Sequence, residues 1–110
     1  MSNLTTDWLN GKSLYFVQYD DFGYDVMKWN MARMDFTDSS LNWTEYDTAT
    51  GTFSYNIDSN GDIVVNEEHI GLISVNGTTN DYIKVCKDGD CNTYLFFDEG
   101  KARDFRDNKN

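Results

Sequence analysis

Apolar and polar side chains alternate with a period of two along most of this chain. In the segment SLYFVQYD, for example, Leu14, Phe16 and Gln18 alternate with Ser13, Tyr15, Val17 and Tyr19. Such alternation is typical of a β-strand, in which successive side chains lie on opposite faces. The pattern predicts eight strands, in the segments 13–20, 24–36, 41–47, 52–57, 62–66, 69–75, 81–87 and 91–98.

The second of these segments has a rival interpretation. Met, Ala, Arg and Lys in KWNMARMDF favour a helix, which would place Trp29, Ala32, Arg33 and Phe36 on one side. Tyr, Val, Trp and Phe favour a strand, and the neighbouring segments are strands. We therefore predict a strand that carries Met27, Trp29 and Met31 on one face.

Short turns separate the predicted strands, with no helical segment between them. Asn60-Gly61 lies between two apolar runs and is a strong hairpin signal, and Asn76-Gly77 predicts a later turn. Consecutive hairpins favour an antiparallel meander over parallel βαβ units. The predicted fold is all-β, an eight-stranded antiparallel barrel, with a sandwich as the second choice.

Both ends of the chain predict a short helix. Thr5 or Thr6 can cap the first, which Gly11 ends, and Asp98 can cap the second. The 110 residues suit a single domain, 1–110, in which we expect residues 1–3 and 107–110 to be frayed.

Charge excludes several classes of partner. Acidic residues outnumber basic ones 19 to 9, and the net charge is −10. Nucleic acids and anionic membranes attract basic surfaces, so neither is an expected partner. No apolar run approaches the roughly 20 residues of a membrane span. The start of the chain has no signal-peptide pattern, which leaves an intracellular protein or a mature domain of a longer exported one.

The cysteines, Cys86 and Cys91, flank the segment KDGD between two predicted strands. Zinc needs about four nitrogen or sulfur ligands, and the chain adds only His69 to the two cysteines. Facing positions in a hairpin lie within disulfide reach. We interpret the pair as a disulfide in an exported, cell-surface or periplasmic protein, and as two free thiols in a cytoplasmic one.

Catalytic chemistry has little support in the sequence. Asp58, Asn60 and Asp62 resemble a fragment of a calcium loop, but turn chemistry explains them. Glu45 and Asp47 lie on the same face of a predicted strand. Because the chain has 19 acidic residues, such a pair is expected by chance. We therefore predict no catalytic residue, no metal site, no cofactor and no enzymatic activity.

Aromatic residues are abundant, at 15% of the chain. They can fill a small barrel, or they can line a pocket for a small apolar ligand. As candidate ligand contacts we name Tyr15, Trp29, Trp43 and Tyr55. The predicted function is a non-enzymatic binding domain that holds a small apolar ligand. The alternative is a structural, adhesive or self-associating module with a filled core, which leaves a homo-oligomer open.

Three motifs resemble those of a known group of domains. The pattern Leu9-x-Gly11-x-x-Leu14-Tyr15 resembles the opening of lipocalin-like (calycin-type) barrels. A domain of surface proteins and lipoproteins from marine bacteria has motifs similar to Gly11-Lys12-Ser13-Leu14-Tyr15, to Tyr82-Ile83-Lys84-Val85 and to the segment from Tyr94 to Phe105. The resemblance implies a bacterial origin and a small barrel. Its motifs are structural, and it implies no catalytic residue.

Overall fold

The computed structural model describes residues 5–20, 26–45, 50–67, 70–87 and 90–110. Eight antiparallel strands form a closed barrel in which each strand pairs with the next and β8 pairs with β1. The strands are β1 (Ser13–Asp20), β2 (Lys28–Phe36), β3 (Ser40–Glu45), β4 (Thr50–Ile57), β5 (Ile63–Val65), β6 (Leu72–Thr78), β7 (Tyr82–Lys87) and β8 (Asp90–Phe96). The predicted all-β meander and its closure into a barrel are confirmed.

Two short helices flank the barrel, α1 (Thr6–Leu9) and α2 (Glu99–Lys109). The Thr5 side chain accepts a hydrogen bond from the Trp8 N–H at 3.1 Å, and the Asp98 carboxylate accepts one from the Lys101 N–H at 3.0 Å. Each bond satisfies an N–H that a helix start leaves without a partner. Both predicted helices and their caps are confirmed.

Some predicted boundaries differ from those of the structure. The 28–36 segment is a strand, so the helical interpretation is wrong. The turn predicted at Asn76-Gly77 is also wrong, since β6 continues to Thr78. The register shifts between Val75 and Thr78, and Gly77 has a φ of +132°. Glycine tolerates this backbone conformation, so an Asn-Gly pair can form an irregularity within a strand as well as a turn. Residues 24 and 25, Tyr46, Asp47 and His69 lie outside the described residues.

The barrel has two distinct ends. We call the end at which α1 leads into β1 the lower end, and the end at which β1 finishes and β2 begins the upper end. Leu9 of α1 is fully buried and belongs to the barrel core. The Gly11 N–H donates to the Phe36 carbonyl, and the Phe36 N–H donates to the Lys12 carbonyl, each at 2.9 Å. These bonds fix α1 at the lower end, which its leucine closes.

Helix α2 lies on the outer face of the barrel, where it contacts β1, β2 and β8. Near its start, the Lys101 ammonium forms an ion pair with Asp81 at 2.7 Å. At its end, the Asn110 amide donates to the Trp29 carbonyl and accepts from the Trp29 N–H, both at 2.9 Å. Residues 107–110 were predicted to fray, but they form the last turn of α2 and include Asn110, which makes this contact.

No helix among the described residues is long and apolar enough to cross a membrane.

Candidate functional site

Large apolar side chains fill the lower part of the barrel interior. Phe16 lies edge-on to Trp43 with ring centroids 5.0 Å apart, and Phe36 lies edge-on to Tyr55 at 5.3 Å. The packed cluster comprises Leu9, Leu14, Phe16, Ala32, Met34, Phe36, Leu41, Trp43, Tyr55, Ile63, Val65, Ile70, Ile73, Ile83, Val85 and Leu95. The cluster is continuous from α1 to the middle of the barrel, as in a close-packed protein core.

The four aromatic residues predicted to contact a ligand do not lie together. Trp43 and Tyr55 are buried in the interior cluster. Tyr15 and Trp29 lie on the outer face, where they pack in a second cluster beneath α2. Strand parity explains the division, because Tyr15 alternates with the inward residues Leu14 and Phe16. Their role in binding stays a prediction.

The outer cluster attaches α2 to the barrel through aromatic contacts. The Phe105 ring lies 4.8 Å from that of Tyr94 and 5.5 Å, edge-on, from that of Trp29. Ala102 of α2 is fully buried against Val17 and Met31 of the barrel. These contacts give Trp29 a packing role, and Tyr15 packs against the same cluster.

Tyr55 makes a structural contact at the lower end. Its hydroxyl donates to the Thr37 carbonyl at 2.6 Å, across the turn between β2 and β3. Burial, with a smaller contribution from the negative charge of Asp38, raises the pKa of the Tyr55 hydroxyl above its ordinary value. The hydroxyl therefore stays a neutral hydrogen-bond donor at physiological pH.

The upper part of the interior is polar. Five inward positions on adjacent strands carry polar side chains, which we call the polar arc: Lys87 on β7, Thr93 on β8, Gln18 on β1, Asn30 on β2 and Glu45 on β3. Four of them are almost fully buried, with exposed fractions of 0% for Thr93, 5% for Gln18, 6% for Asn30 and 8% for Lys87. The apolar core thus ends in a buried polar layer.

Strand register establishes that the polar arc faces inward. Lys87 pairs with Ile73, and Thr93 pairs with Val85, and both of these partners belong to the interior cluster. Gln18 pairs with Thr93 on one side and with Asn30 on the other. Paired residues of neighbouring strands present their side chains on the same face.

Some of the polar groups in this layer have hydrogen-bond partners within the protein. The Asn30 amide donates to the Asp20 carbonyl at 2.7 Å. At the far end of the arc, the Glu45 carboxylate accepts a bond from the Trp43 indole at 2.9 Å. The Thr93 Oγ1 atom is buried and has no hydrogen-bond partner among the residues that the structure describes. A buried hydroxyl in this state is rare and calls for an explanation, such as a bound molecule.

A disulfide lies directly beside the polar arc. Cys86 and Cys91 are bonded, with their Cα atoms 3.9 Å apart. The register between β7 and β8 shifts here, from Val85 opposite Thr93 to Lys87 opposite Asp90. The predicted hairpin disulfide is therefore present. It joins the strands that carry Lys87 and Thr93, and so restrains the relative position of these two residues.

No metal centre is found in the described ranges, where no three His, Cys, Asp or Glu side chains are placed to hold an ion. In the predicted turn, the Asp58 carboxylate accepts bonds from the Asn60 N–H at 2.9 Å and the Asp62 N–H at 3.0 Å. Asp58 thus acts as a turn residue.

A shallow groove of about 290 Å³ lies on the outer face of β2, β3 and β4. It is lined by Arg33, Asp35, Asn42, Trp43, Thr44, Gly51 and Thr52. Its polar groups bond to one another, since Arg33 pairs with Asp35 at 3.0 Å and the Thr52 hydroxyl bonds to the Asn42 side chain. These internal bonds are typical of the solvent-facing side of an antiparallel sheet.

No protein-family model matches the chain, and no curated protein or solved structure matches it significantly. The barrel is compatible with a lipocalin-like architecture through its eight antiparallel strands and closure.

Neither Lys87 nor Thr93 was predicted to be a site residue. A signal was present in the alternation itself. Ile83 and Val85 define the inward face of β7, and the next position of that parity is Lys87. A lysine at the end of an apolar series is normally interpreted as the solvated end of a strand, and only its burial in the closed barrel distinguishes it.

Proposed function

We propose that this protein is a non-enzymatic binding domain that holds a small ligand at the upper end of its barrel. The observation that supports it is the polar arc, and above all the buried Thr93 hydroxyl, which lacks a partner among the described residues. We further propose that the domain is related to lipocalin-like barrels of bacterial surface proteins and functions in an oxidising compartment, where its disulfide is stable.

The energetic cost of the polar arc favours binding over a purely structural role. Burying a hydroxyl without a hydrogen bond costs about 1–3 kcal/mol. A barrel that serves only as a scaffold would be more stable with an apolar residue at position 93. Departures from the rule of an apolar interior are expected at functional sites.

The filled lower interior favours a ligand site near the upper end of the barrel. Phe16, Trp43 and their neighbours occupy the space that a deeply bound apolar ligand would need. A ligand that contacts the polar arc needs polar groups of its own.

Native mass spectrometry of freshly purified protein tests this proposal. We expect an additional mass in the native spectrum that is lost on denaturation, and a weaker or absent adduct in a Thr93→Val variant. The matched control is Thr52→Val, on the exposed outer face. A ligand adduct equally abundant in all three proteins would refute binding at the polar arc.

An exposed aromatic pair favours a second candidate function, a self-associating module with a solid barrel. Trp8 and Phe97 are exposed at the lower end with ring centroids 6.3 Å apart, and the Lys12 ammonium lies 4.7 Å from the Trp8 ring. Light scattering over a concentration series tests this candidate. A dimer that a Trp8→Ser substitution dissociates would support it, and a monomer at all concentrations would refute it.

A further inference from the structure

We infer that the upper end of the barrel binds a neutral ligand through a hydroxyl group, which bridges the side-chain oxygens of Thr93 and Gln18. This inference rests on the proposed binding function and specifies the chemical group that the ligand presents. The ligand would be a small alcohol, or a larger uncharged molecule whose hydroxyl reaches the boundary between the apolar core and the polar arc.

Two buried oxygens on neighbouring strands carry the inference. The Oγ1 atom of Thr93 and the Oε1 atom of Gln18 form no hydrogen bond within the part of the chain that the structure describes. Both residues are enclosed, with exposed fractions of 0% for Thr93 and 5% for Gln18. Gln18 has a further interaction within the protein, so its Oε1 atom, and not the whole side chain, is what a ligand can use. Buried polar atoms in this state are rare, and each calls for a partner.

Strand register brings these two oxygens within reach of one ligand group. Thr93 of β8 is paired directly with Gln18 of β1, and both side chains lie on the inward face. The Cβ atoms of such facing residues are about 4.5–5.5 Å apart. Since the two oxygens do not bond to each other, this register favours a small group that lies between them and bonds to both.

The donor and acceptor properties of the two oxygens select a hydroxyl. An amide oxygen only accepts, so the bridging group must donate to Gln18 Oε1. The Thr93 hydroxyl has a hydrogen of its own, which needs an acceptor. A ligand hydroxyl meets both needs with one atom, since its oxygen donates one bond and also accepts. An amide donates and accepts through two different atoms and therefore needs a wider gap.

Charged ligand groups fit the same oxygens less well. A carboxylate only accepts, so it would leave Gln18 Oε1 without a donor. An ammonium only donates, so it would leave the Thr93 hydrogen without an acceptor. Either ion would also lose its water beside the fully buried Thr93, and burying an unpaired charge costs far more than burying a neutral polar group. These considerations favour an uncharged ligand.

The neighbours of this pair indicate the direction in which the rest of the ligand extends. Thr93 lies opposite Val85, and Gln18 lies two residues beyond Phe16 on the inward face of β1. Val85 and Phe16 both belong to the packed interior cluster. Because the space on the lower side of the pair is filled, the body of the ligand would lie toward the upper end of the barrel.

A titration of ¹⁵N-labelled protein followed by NMR tests the inference, with 1-butanol and 1-methoxypropane as probes. The two molecules have the same formula, but the ether accepts hydrogen bonds and cannot donate one. We expect 1-butanol to shift the backbone amide signals of Thr93, Gln18 and their neighbours in a saturable manner. The ether should bind about tenfold more weakly, because it leaves the Gln18 oxygen without a donor.

Variants identify the atoms responsible. Thr93→Val should weaken 1-butanol binding about tenfold, and Thr93→Ser, which keeps the hydroxyl, should restore most of it. Gln18→Met removes the acceptor oxygen and should abolish the preference for 1-butanol over the ether. Thr52→Val is the matched control, since it removes an exposed hydroxyl on the outer face, and it should bind like the wild type. The ¹⁵N spectrum of each variant reports whether the barrel is intact.

The outcomes separate the inference from the proposed function. Equal binding of 1-butanol and the ether at the upper end overturns the hydroxyl class and supports a binding site there. A co-purified ligand that has no hydroxyl group has the same meaning. Water carries the same O–H group, so a bound water that shows a nuclear Overhauser effect to the Thr93 amide and that 1-butanol does not displace overturns the inference. No response to either probe, together with a bare native mass, overturns both the inference and the proposed function.

Discussion

Replacing Thr93 by valine tests the basis of the proposed site in the absence of any ligand. Thr93 is fully buried on the inward face of β8, between Val85 and Gln18. Valine has nearly the same shape and the same preference for strands, so the change substitutes a methyl group for the hydroxyl and little else. We expect Thr93→Val to stabilise the folded protein.

The magnitude follows from the environment of the hydroxyl. A buried polar group without a hydrogen bond costs about 1–3 kcal/mol, and the substitution removes this cost. At this chain length, each kcal/mol shifts the midpoint of thermal unfolding by roughly 4 °C. The midpoint should therefore rise by several degrees, a large effect for the loss of one oxygen atom.

Chemical denaturation at equilibrium gives the free energy of unfolding. The slope of this free energy against denaturant concentration must be unchanged if the variant acts on stability alone. The control is Thr52→Val on the outer face, where the hydroxyl is exposed and bonded to Asn42. Surface changes of this kind alter stability by less than about 0.5 kcal/mol. Both proteins should be freed of bound ligand by unfolding and refolding before measurement.

The opposite result would refute the reasoning. If Thr93→Val lowers the free energy of unfolding by about 1 kcal/mol or more, the hydroxyl makes a hydrogen bond in the ligand-free protein. The polar arc would then be a satisfied internal network, and its cost would no longer indicate a ligand.

Four further predictions concern the scaffold. Gly51→Ala should destabilise the protein by about 1–3 kcal/mol in denaturant titrations, because the new Cβ would lie 2.6 Å from the Phe53 ring; an unchanged midpoint would mean that the ring moves aside freely. Reduction of Cys86–Cys91 should add two hydrogens to the mass and cost about 2 kcal/mol by the loop-entropy relation, against no effect of reductant on a double serine variant. Asn110→Ala should speed hydrogen exchange at the Trp29 backbone amide in β2, because this N–H donates to the Asn110 side chain, while exchange in the centre of β2 stays unchanged. Tyr55, whose pKa is raised by burial, contributes stability that is present below about pH 10 and lost as the pH rises through its folded-state pKa. Tyr55→Phe should reduce that loss in pH-dependent unfolding, and an unchanged pH dependence would contradict this explanation.

Local patterns account for the parts of the fold that the sequence predicted correctly. Period-two alternation identified the strands, and Thr5 and Asp98 identified the starts of the helices, because each signal acts between residues close in the chain. The Cys86–Cys91 pair is separated by a single turn, so its approach also followed from local geometry. The Asn76-Gly77 prediction was wrong because a glycine with positive φ suits a strand irregularity as well as a turn.

Local sequence patterns predict neither the pairing of β8 with β1 that closes the barrel nor the outer residues against which α2 packs. Tyr15 and Trp29 pack in the outer cluster that includes Ala102 of α2, and nothing near them in sequence indicates that Phe105 packs against Trp29.

The sequence by itself determined the number of strands, their antiparallel order and the proximity of the two cysteines, since these depend on neighbours along the chain. Only the tertiary structure decided which polar residues are buried. β8 joins β1 across nearly the whole chain, and this pairing brings Gln18 beside Thr93 and encloses Lys87 within the barrel. An inward polar side chain near the end of a sheet is hydrated when the sheet is open and is buried away from water when the sheet closes into a barrel. The polar arc is therefore a consequence of closure, because burial depends on contacts that no local segment contains.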